Sequence, residues 1–178
     1  MHKFVIACIF LFSVCLIGQT DQRIYDIMNK VSAERIKKDV TTLVSFGTRH
    51  TLSDTISNTR GIGAARRWIK SEFDRISEKC NDCLEVSYQR DLVKKEESNR
   101  IQKDVWVVNV VAIQRGTTYP DRYIIMSGDI DSRVSDANNY TSDSPGANDN
   151  ASGMAGTIEA ARVLSNYKFE NSIIYLGL

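Results

Sequence analysis

Apolar residues recur at helical spacing in several stretches of the chain. Between residues 21 and 46 the pattern breaks near Ser32, a residue type that caps helices, so two amphipathic helices are predicted there. Over residues 60–79 the pattern continues for about five turns and predicts a long surface helix. The predicted polar side of that helix holds Arg66, Arg67, Lys70, Glu72 and Arg75. A further helix is predicted over residues 154–164.

Four shorter stretches have the pattern of β-strands. Residues 84–88 alternate between apolar and polar, which is typical of a half-buried strand. Residues 105–113 form a longer β-branched run that predicts a central strand, and residues 123–126 and 172–176 predict two more buried strands. The charged stretch between the first two strands is expected to be a solvated hairpin end. Because residues 123–176 run in the order strand, loop, helix, strand, they predict a βαβ unit.

The first residues have the pattern of a signal peptide. A short basic start, Met1-His2-Lys3, precedes an apolar run over residues 4–17 that is too short to span a bilayer comfortably. We therefore predict a signal peptide over residues 1–19, a secreted or periplasmic protein, and no membrane span after signal removal. The alternative is a buried N-terminal helix. A lipid anchor at Cys15 is disfavoured because Val14, which is not a small residue, precedes it.

Export changes the interpretation of the cysteines. Cys8 and Cys15 leave with the signal peptide, so the mature chain keeps Cys80 and Cys83 in a Cys-Asn-Asp-Cys sequence. A zinc knuckle needs a second pair of ligands nearby, and a thioredoxin-type site needs the pair at the start of a helix, whereas this pair follows one. A small structural disulfide is therefore predicted.

Composition and charge narrow the class of protein. The chain has 178 residues, of which 42% are hydrophobic and 25% are charged, which is typical of a single soluble globular domain. The formal net charge of +1 leaves no bulk positive field to attract nucleic acid, so a nucleic-acid partner is not expected. The sequence leaves the oligomeric state open.

Two groups of carboxylates flank a polar loop that follows a predicted strand. Asp129 and Asp131 come directly after that strand, and Asp149 lies in the stretch 145–153 that opens the next helix. In α/β sheets ligands collect at the carboxyl ends of strands, so both groups are expected to face one crevice. Closely packed carboxylates repel one another, and a bound cation is an ordinary resolution of that repulsion.

These carboxylates also admit other interpretations. An EF-hand fails because Val134 occupies the position that must be glycine and Tyr140 the position of the terminal glutamate. Asp136 and Asp143 fit a solvated loop. For Asp149 an N-cap of the following helix is an alternative that is compatible with metal binding.

Several motifs together resemble the M28 family of zinc aminopeptidases. They are the Gly-x-x-Asp-Ser string at 128–132, the run from Pro145 to Gly153, the following Glu-Ala-Ala-Arg-Val-Leu, and the Ser-Phe-Gly-Thr-Arg-His segment at 45–50. The resemblance spans the chain from about Val40 to Leu178. It implies an α/β fold, a three-layer sandwich with a mixed, mostly parallel sheet and flanking helices, of which residues 20–178 would be the N-terminal, incomplete part.

The resemblance also implies roles for the carboxylates. Asp149 corresponds to the carboxylate that bridges two zinc ions, and Asp131 to the acid that orients the first metal ligand. Gly146 and Gly153 would let the loop approach the metals closely. Asp129 stands where the family usually has a histidine ligand, so a divalent metal other than zinc is also compatible with this site.

The expected activity belongs to a longer chain. In the family, the strand corresponding to residues 173–178 runs into a Glu-Glu pair that supplies the general base and a metal ligand, and later segments add an Asp and a His. The resemblance therefore implies an aminopeptidase acting on peptides, of which the given chain is an inactive part. The alternatives are a glutaminyl-cyclase-like acyltransferase and a non-catalytic binding ectodomain. His50 is expected to be an ordinary surface or packing residue, and Arg49 is a candidate partner for a nearby carboxylate.

Overall fold

The computed structural model describes residues 21–178 in two units, one ending at Val31 and one beginning at Ser32. The predicted signal peptide and Cys15 lie outside the described residues. In the first unit, helix α1 (Gln22–Met28) begins after Asp21, whose carboxylate accepts a hydrogen bond from the backbone N–H of Arg23 at 3.0 Å. Within residues 21–178, no helix is both long and apolar enough to cross a membrane.

Three helices of the second unit follow the predicted pattern. They are α2 (Ala33–Ser45), α3 (Gly61–Lys79) and α4 (Ser152–Leu164). The predicted cap at Ser32 is confirmed, since its hydroxyl accepts from the backbone N–H of Arg35 at 3.3 Å. A short helical turn (Lys95–Glu97) lies in the exposed hairpin connection, as its charged sequence predicts.

The four strands form one mixed sheet. They are β1 (Leu84–Val93), β2 (Val105–Gln114), β3 (Tyr119–Gly128) and β4 (Asn171–Gly177), in the spatial order β1-β2-β4-β3. β3 and β4 pair in parallel with α4 between them, which confirms the βαβ unit. β2 is an interior strand, as predicted, and it pairs antiparallel with both neighbours. The prediction of a mostly parallel sheet therefore needs correction in this part of the chain, because β1 and β2 are joined by a hairpin and β4 inserts beside β2.

The core lies between the sheet and the helices. β2 and β4 turn alternate residues, among them Val110, Ala112, Ile173 and Tyr175, into a cluster with Phe73 of α3 and Ile158 of α4. α3 packs on β1 and β2, α4 packs on β3 and β4, and the two helices contact each other, so both lie on one face of the sheet. Residues 32–178 thus form two of the three predicted layers. The other face, including Ile113, Ile174 and Leu176, is only half-buried.

Two local predictions have different outcomes. The residues of β3 that were predicted to be buried include Ile124 and Ile125, which are 54% and 60% exposed. This prediction is wrong because β3 is an edge strand with one neighbour, and the pattern of a buried strand does not reveal how many neighbours it has. The disulfide between Cys80 and Cys83 is confirmed. Asn81 and Asp82, residue types that tolerate positive φ, turn the chain between the two cysteines.

Candidate metal centre

The end of β3 presents Asp129 and Asp131 at the carboxyl edge of the sheet. Backbone hydrogen bonds from Ile130 to Leu178 and from Leu178 to Gly128 continue the parallel pairing past the last strand residues, at 2.7 and 3.1 Å. A Cβ on Gly128 would lie 2.4 Å from the backbone nitrogen of Met154. The absence of a side chain at this glycine therefore lets the end of β3 pack directly against the first turn of α4.

Asp149 reaches the same edge from the loop that opens α4. The stretch Ala147–Ala151 forms an irregular helical turn in which Asp149 has extended backbone angles, φ −123° and ψ 94°, and a cis peptide bond joins it to Asn150. The N-cap of α4 is Ala151, and no side chain makes a cap hydrogen bond there. The alternative in which Asp149 caps the helix is therefore wrong, and its carboxylate is exposed.

The three carboxylates interact electrostatically but are not equally enclosed. Asp129 and Asp131 line one cavity of about 250 Å³, whose walls also include Arg66 and Leu178. Burial raises the pKa of Asp131 above its ordinary value, and the charges of Asp129 and, more weakly, Asp149 raise it further. The structure thus places Asp131 within electrostatic range of both other carboxylates, with only Asp129 and Asp131 in the shared cavity.

The donor chemistry fits a divalent cation in part. Carboxylate oxygens are ligands for zinc and for harder cations, and a cation would offset the neighbouring negative charges that add to the effect of burial on the pKa of Asp131. Within residues 21–178, however, no three His, Cys, Asp or Glu side chains are grouped so that they could hold a metal ion. The described residues therefore supply part of a ligand set, and the assignment of Asp129 and Asp149 as ligands and of Asp131 as the orienting acid remains a prediction.

Arg49 joins the two segments that bear the carboxylates. Its side chain is fully buried, and it donates hydrogen bonds to four backbone carbonyl oxygens at 2.7 to 3.1 Å. One of these belongs to Ile130, between the first two carboxylates, and two belong to Pro145 and Gly146 in the loop before Asp149. The sequence suggested a carboxylate as the partner of Arg49, but backbone carbonyl oxygens accept its side-chain hydrogen bonds instead. Burial lowers the pKa of Arg49 to about 10, and the negative charge of Asp131 opposes part of that decrease.

Hydroxyl groups reinforce this junction. Ser132 accepts from the backbone N–H of Arg49 at 3.0 Å and donates to the carbonyl of Ser144 at 2.6 Å. A short parallel bridge pairs Thr48 with Ser144. Gly146 has φ +49°, and a Cβ there would lie 2.5 Å from the carbonyl oxygen of Asp149. Glycine is needed at position 146 because any side chain there would collide with the backbone of the same loop.

His50 has a packing role. It is buried, its Nδ1 accepts from the backbone N–H of Leu52 at 3.0 Å, and its Nε2 donates to the carbonyl of Ala137 at 3.1 Å. Both ring nitrogens are therefore hydrogen-bonded to the backbone, which agrees with the expected packing role.

Sequence reasoning missed the burial of Arg66 and Glu72. Both were placed on the polar side of α3, yet they are only 7% and 4% exposed. The signal was present in the spacing, because residues 62, 66, 69, 73 and 76 form one continuous helical stripe in which position 66 is the arginine.

The fold is that of an α/β protein with carboxylates at the carboxyl edge of its sheet, and comparisons identify its family. Residues 109–178 match the family model described as Peptidase family M28. A relative from Pyrenophora teres f. teres (strain 0-1), described as "Probable zinc metalloprotease", is 45% identical over 154 residues, which cover 86% of this chain and 32% of the relative. The chain belongs to peptidase family M28, and it spans about a third of the length of the curated relatives it matches.

Solved structures share the fold at low sequence identity. The aminopeptidase from Aneurinibacillus sp. strain AM-1 aligns with a TM-score of 0.60 at 13% identity, covering 85% of this chain and 63% of that one. The glutaminyl cyclase from Macrostomum lignano aligns with a TM-score of 0.62 at 13% identity, covering 86% of this chain and 39% of that one. These similarities confirm the predicted α/β fold class.

Proposed function

We propose that the complete protein is a zinc-dependent aminopeptidase that removes N-terminal residues from peptides. The observation that carries the proposal is the arrangement of Asp129, Asp131 and Asp149 at one sheet edge of an M28-family chain. The family and the name of the relatives support a zinc metalloprotease, and the fold shared with an aminopeptidase favours the exopeptidase activity. The proposed activity is compatible with one or two zinc ions, or with another divalent metal bound through Asp129.

The described residues would hold the cation and shape its surroundings. Asp149 and Asp129 would offer carboxylate oxygens, and Asp131, half-buried beside Asp129, would orient the ligand next to it. When bound, zinc supplies Lewis-acid polarisation of the scissile carbonyl group. Arg49 holds the strand end and the loop together, which positions the two segments that carry the carboxylates.

The proposal assigns the remaining ligands and the general base to sequence after Leu178. Catalytic zinc sites use about three protein ligands per ion, which is more than the described residues group together. It also includes export from the cytoplasm, for which the apolar segment 4–17 and the disulfide are the support.

The proposal is tested by comparing the full-length protein with residues 21–178 on a panel of aminoacyl-anilides, with and without a chelator. We expect chelator-sensitive hydrolysis by the full-length protein only. Asp149→Asn should abolish it, because an amide cannot bridge two cations as a carboxylate does. The matched control is Asp136→Asn, an exposed carboxylate in the same loop that accepts a hydrogen bond from the backbone N–H of Asn138. Turnover by the short chain, or full activity of Asp149→Asn, would contradict the proposal.

A second candidate is a glutaminyl-cyclase-like acyltransferase, which the solved glutaminyl cyclases of the same fold favour. Peptides with an N-terminal glutamine separate the two, because cyclisation releases ammonia without shortening the chain, whereas an aminopeptidase releases free glutamine. If a folded, zinc-loaded protein does neither, the binding ectodomain is the better description.

A further inference from the structure

A basic groove lies at the same sheet edge as the candidate metal centre. It is an open cavity of about 710 Å³ between the first turns of α3, the loop at residues 52–55 and the adjoining ends of β1 and β2. Because β2 runs antiparallel to β4, its amino end lies at the edge where β3 and β4 have their carboxyl ends. The groove and the carboxylates therefore open on the same side of the sheet.

Four cations line the groove against one acid. They are Arg66, Arg67, Arg90 and Lys103, and the acid is Asp104. Among residues 21–178, none of the four has a carboxylate within salt-bridge distance, although nine such ion pairs form elsewhere. The groove thus carries positive charge that no ion pair in the described part of the fold neutralises, although the charge of Asp131 acts on Arg66 from the adjoining cavity.

Neutral groups hold these cations in place. Arg67 donates to the backbone carbonyls of Thr55, Ile56 and Ser57. The Arg90 guanidinium lies 5.3 Å from the centre of the Tyr88 ring, and the Lys103 ammonium lies 5.1 Å from that of Tyr140. Contacts of this kind orient a cation and leave its charge available to a ligand.

Arg66 connects the groove to the carboxylates. It lines both the groove and the cavity that contains Asp129 and Asp131. It is nine-tenths buried. Among residues 21–178 its only hydrogen bond is a long one of 3.4 Å from Nη1 to the carbonyl of Trp106, and its buried Nε has no partner there. A buried guanidinium with so few partners is costly, and an anionic ligand would supply the missing acceptors.

We propose that the groove binds a carboxylate of the peptide substrate, supplied either by the free C-terminus of a short peptide or by an acidic side chain. The inference rests on the proposed function for the nature of the ligand. The exposed Trp106 and the half-buried Tyr88 and Val108 provide an apolar wall for the rest of the peptide. Arginine presents paired N–H groups to a carboxylate, which makes it well suited to this recognition.

Three matched tripeptides test the inference in the full-length protein. Leu-Ala-Gln-amide has no carboxylate, Leu-Ala-Gln has only the terminal one, and Leu-Ala-Glu-amide has only the side-chain one. Binding is measured by calorimetry on the metal-free protein, and kcat/KM on the zinc-loaded protein. We expect at least one carboxylate peptide to bind about tenfold more tightly than the neutral peptide, an advantage that falls as salt is added. The preferred peptide identifies the source of the carboxylate.

Variants at the exposed cations avoid disturbing buried Arg66. The double variant Arg90→Gln/Lys103→Gln should remove most of the affinity advantage of the carboxylate peptides over the neutral peptide. Lys168→Gln, an exposed lysine that does not line the groove, should keep the advantage. Equal affinity for all three peptides, or an advantage that survives the double variant, would overturn the inference. Carboxylate-selective binding without any hydrolysis would instead uphold the groove and overturn the proposed aminopeptidase.

Discussion

Arg49 has more hydrogen bonds than any other side chain around the candidate centre, and all of its side-chain acceptors are backbone carbonyls. A buried charge without a carboxylate partner is stabilised here by oriented peptide dipoles, which also tie three separate segments to one side chain. The same residue therefore contributes to the stability of the fold and to the spacing of the carboxylates.

Replacing Arg49 should destabilise the protein strongly. Arg49→Met leaves four carbonyl oxygens without their donor, and a buried unsatisfied group costs about 1–3 kcal/mol, so we expect a loss of at least about 3 kcal/mol in the free energy of unfolding. Urea denaturation measures the loss. Arg49→Lys should recover part of it, because an ammonium can donate to some of the same oxygens. A loss below about 1 kcal/mol in Arg49→Met would contradict a stabilising role for these four hydrogen bonds.

A smaller substitution tests the loop before Asp149. Gly146→Ala introduces a Cβ at φ +49°, within 2.6 Å of the Ser132 Cβ and 2.5 Å of the Asp149 carbonyl oxygen. We expect a loss of about 1–3 kcal/mol, together with faster hydrogen exchange in residues 145–151. Gly156→Ala is the matched control, because a Cβ at that helical position meets nothing within 4 Å. An unchanged exchange rate in Gly146→Ala would show that the loop adapts without strain.

At the scale of the elements, a network of ion pairs joins the three helices of the second unit. Arg162 of α4 pairs with Asp39 of α2 at 3.0 Å, Glu72 of α3 at 3.2 Å and Glu159 of its own helix at 2.8 Å. Glu159 also accepts from Arg35 and from the backbone N–H of Ser32. Burial raises the pKa of Asp39 despite the hydrogen bond and the charge of Arg162, and the negative charges of Glu72 and Glu159 raise it further.

Glu159 makes the network dependent on pH. Burial alone would raise its pKa, but hydrogen bonds from Arg35, Ser32 and Arg162 outweigh burial and hold the pKa below its ordinary value of 4.5. The ionised form therefore stabilises the fold above that value, and the stabilisation is lost as the pH falls through the lower pKa of the folded state. Glu159→Gln should cost about 3–5 kcal/mol at pH 7, as for other broken buried pairs, and the deficit should shrink below about pH 4.

Denaturation of both proteins between pH 3 and pH 7 measures this difference. Glu78→Gln on the exposed side of α3 is the control and should change stability by less than about 0.5 kcal/mol at any pH. A deficit in Glu159→Gln that stays constant with pH would show that the glutamate acts through packing and not through its charge.

The disulfide between Cys80 and Cys83 stabilises the connection from α3 to β1. Thiol titration of the exported protein under denaturing, non-reducing conditions should find no free thiol at either position. The loop it closes is short, so removing it with Cys80→Ser/Cys83→Ser should cost only about 2 kcal/mol in the chain-entropy estimate. Two free thiols per chain would contradict the predicted disulfide and weaken the support for export.

At the scale of the whole molecule, the second unit covers one face of its sheet and leaves the edge strand β3 exposed. Tyr123, Ile124 and Ile125 of that strand are 46%, 54% and 60% exposed. An exposed apolar edge with free backbone groups is a template for pairing with another chain.

Residues 21–178 produced alone should therefore self-associate, as measured by light scattering over a range of concentrations. Ile125→Lys on β3 should suppress the association, because a charge on an edge strand opposes pairing. Ile56→Lys is the control, since Ile56 is 87% exposed but lies away from the sheet. A monomeric wild-type chain, or equal suppression by both variants, would exclude β3 as the associating edge.

The sequence by itself determined which segments are helices and strands, the βαβ unit, the Cys80–Cys83 pair and the family to which the carboxylate motifs belong. These features depend on neighbours within a few residues, where periodicity, capping and turn chemistry act. The tertiary structure decided which face of each element is covered. It placed β3 at an edge and buried Glu72 beside Arg162 of another helix. It also gave Arg49 four carbonyl acceptors, three of them from the distant segments at residues 130 and 145–146. Whether a charge can be buried depends on the dipoles that distant segments bring to it, and local sequence does not contain that information.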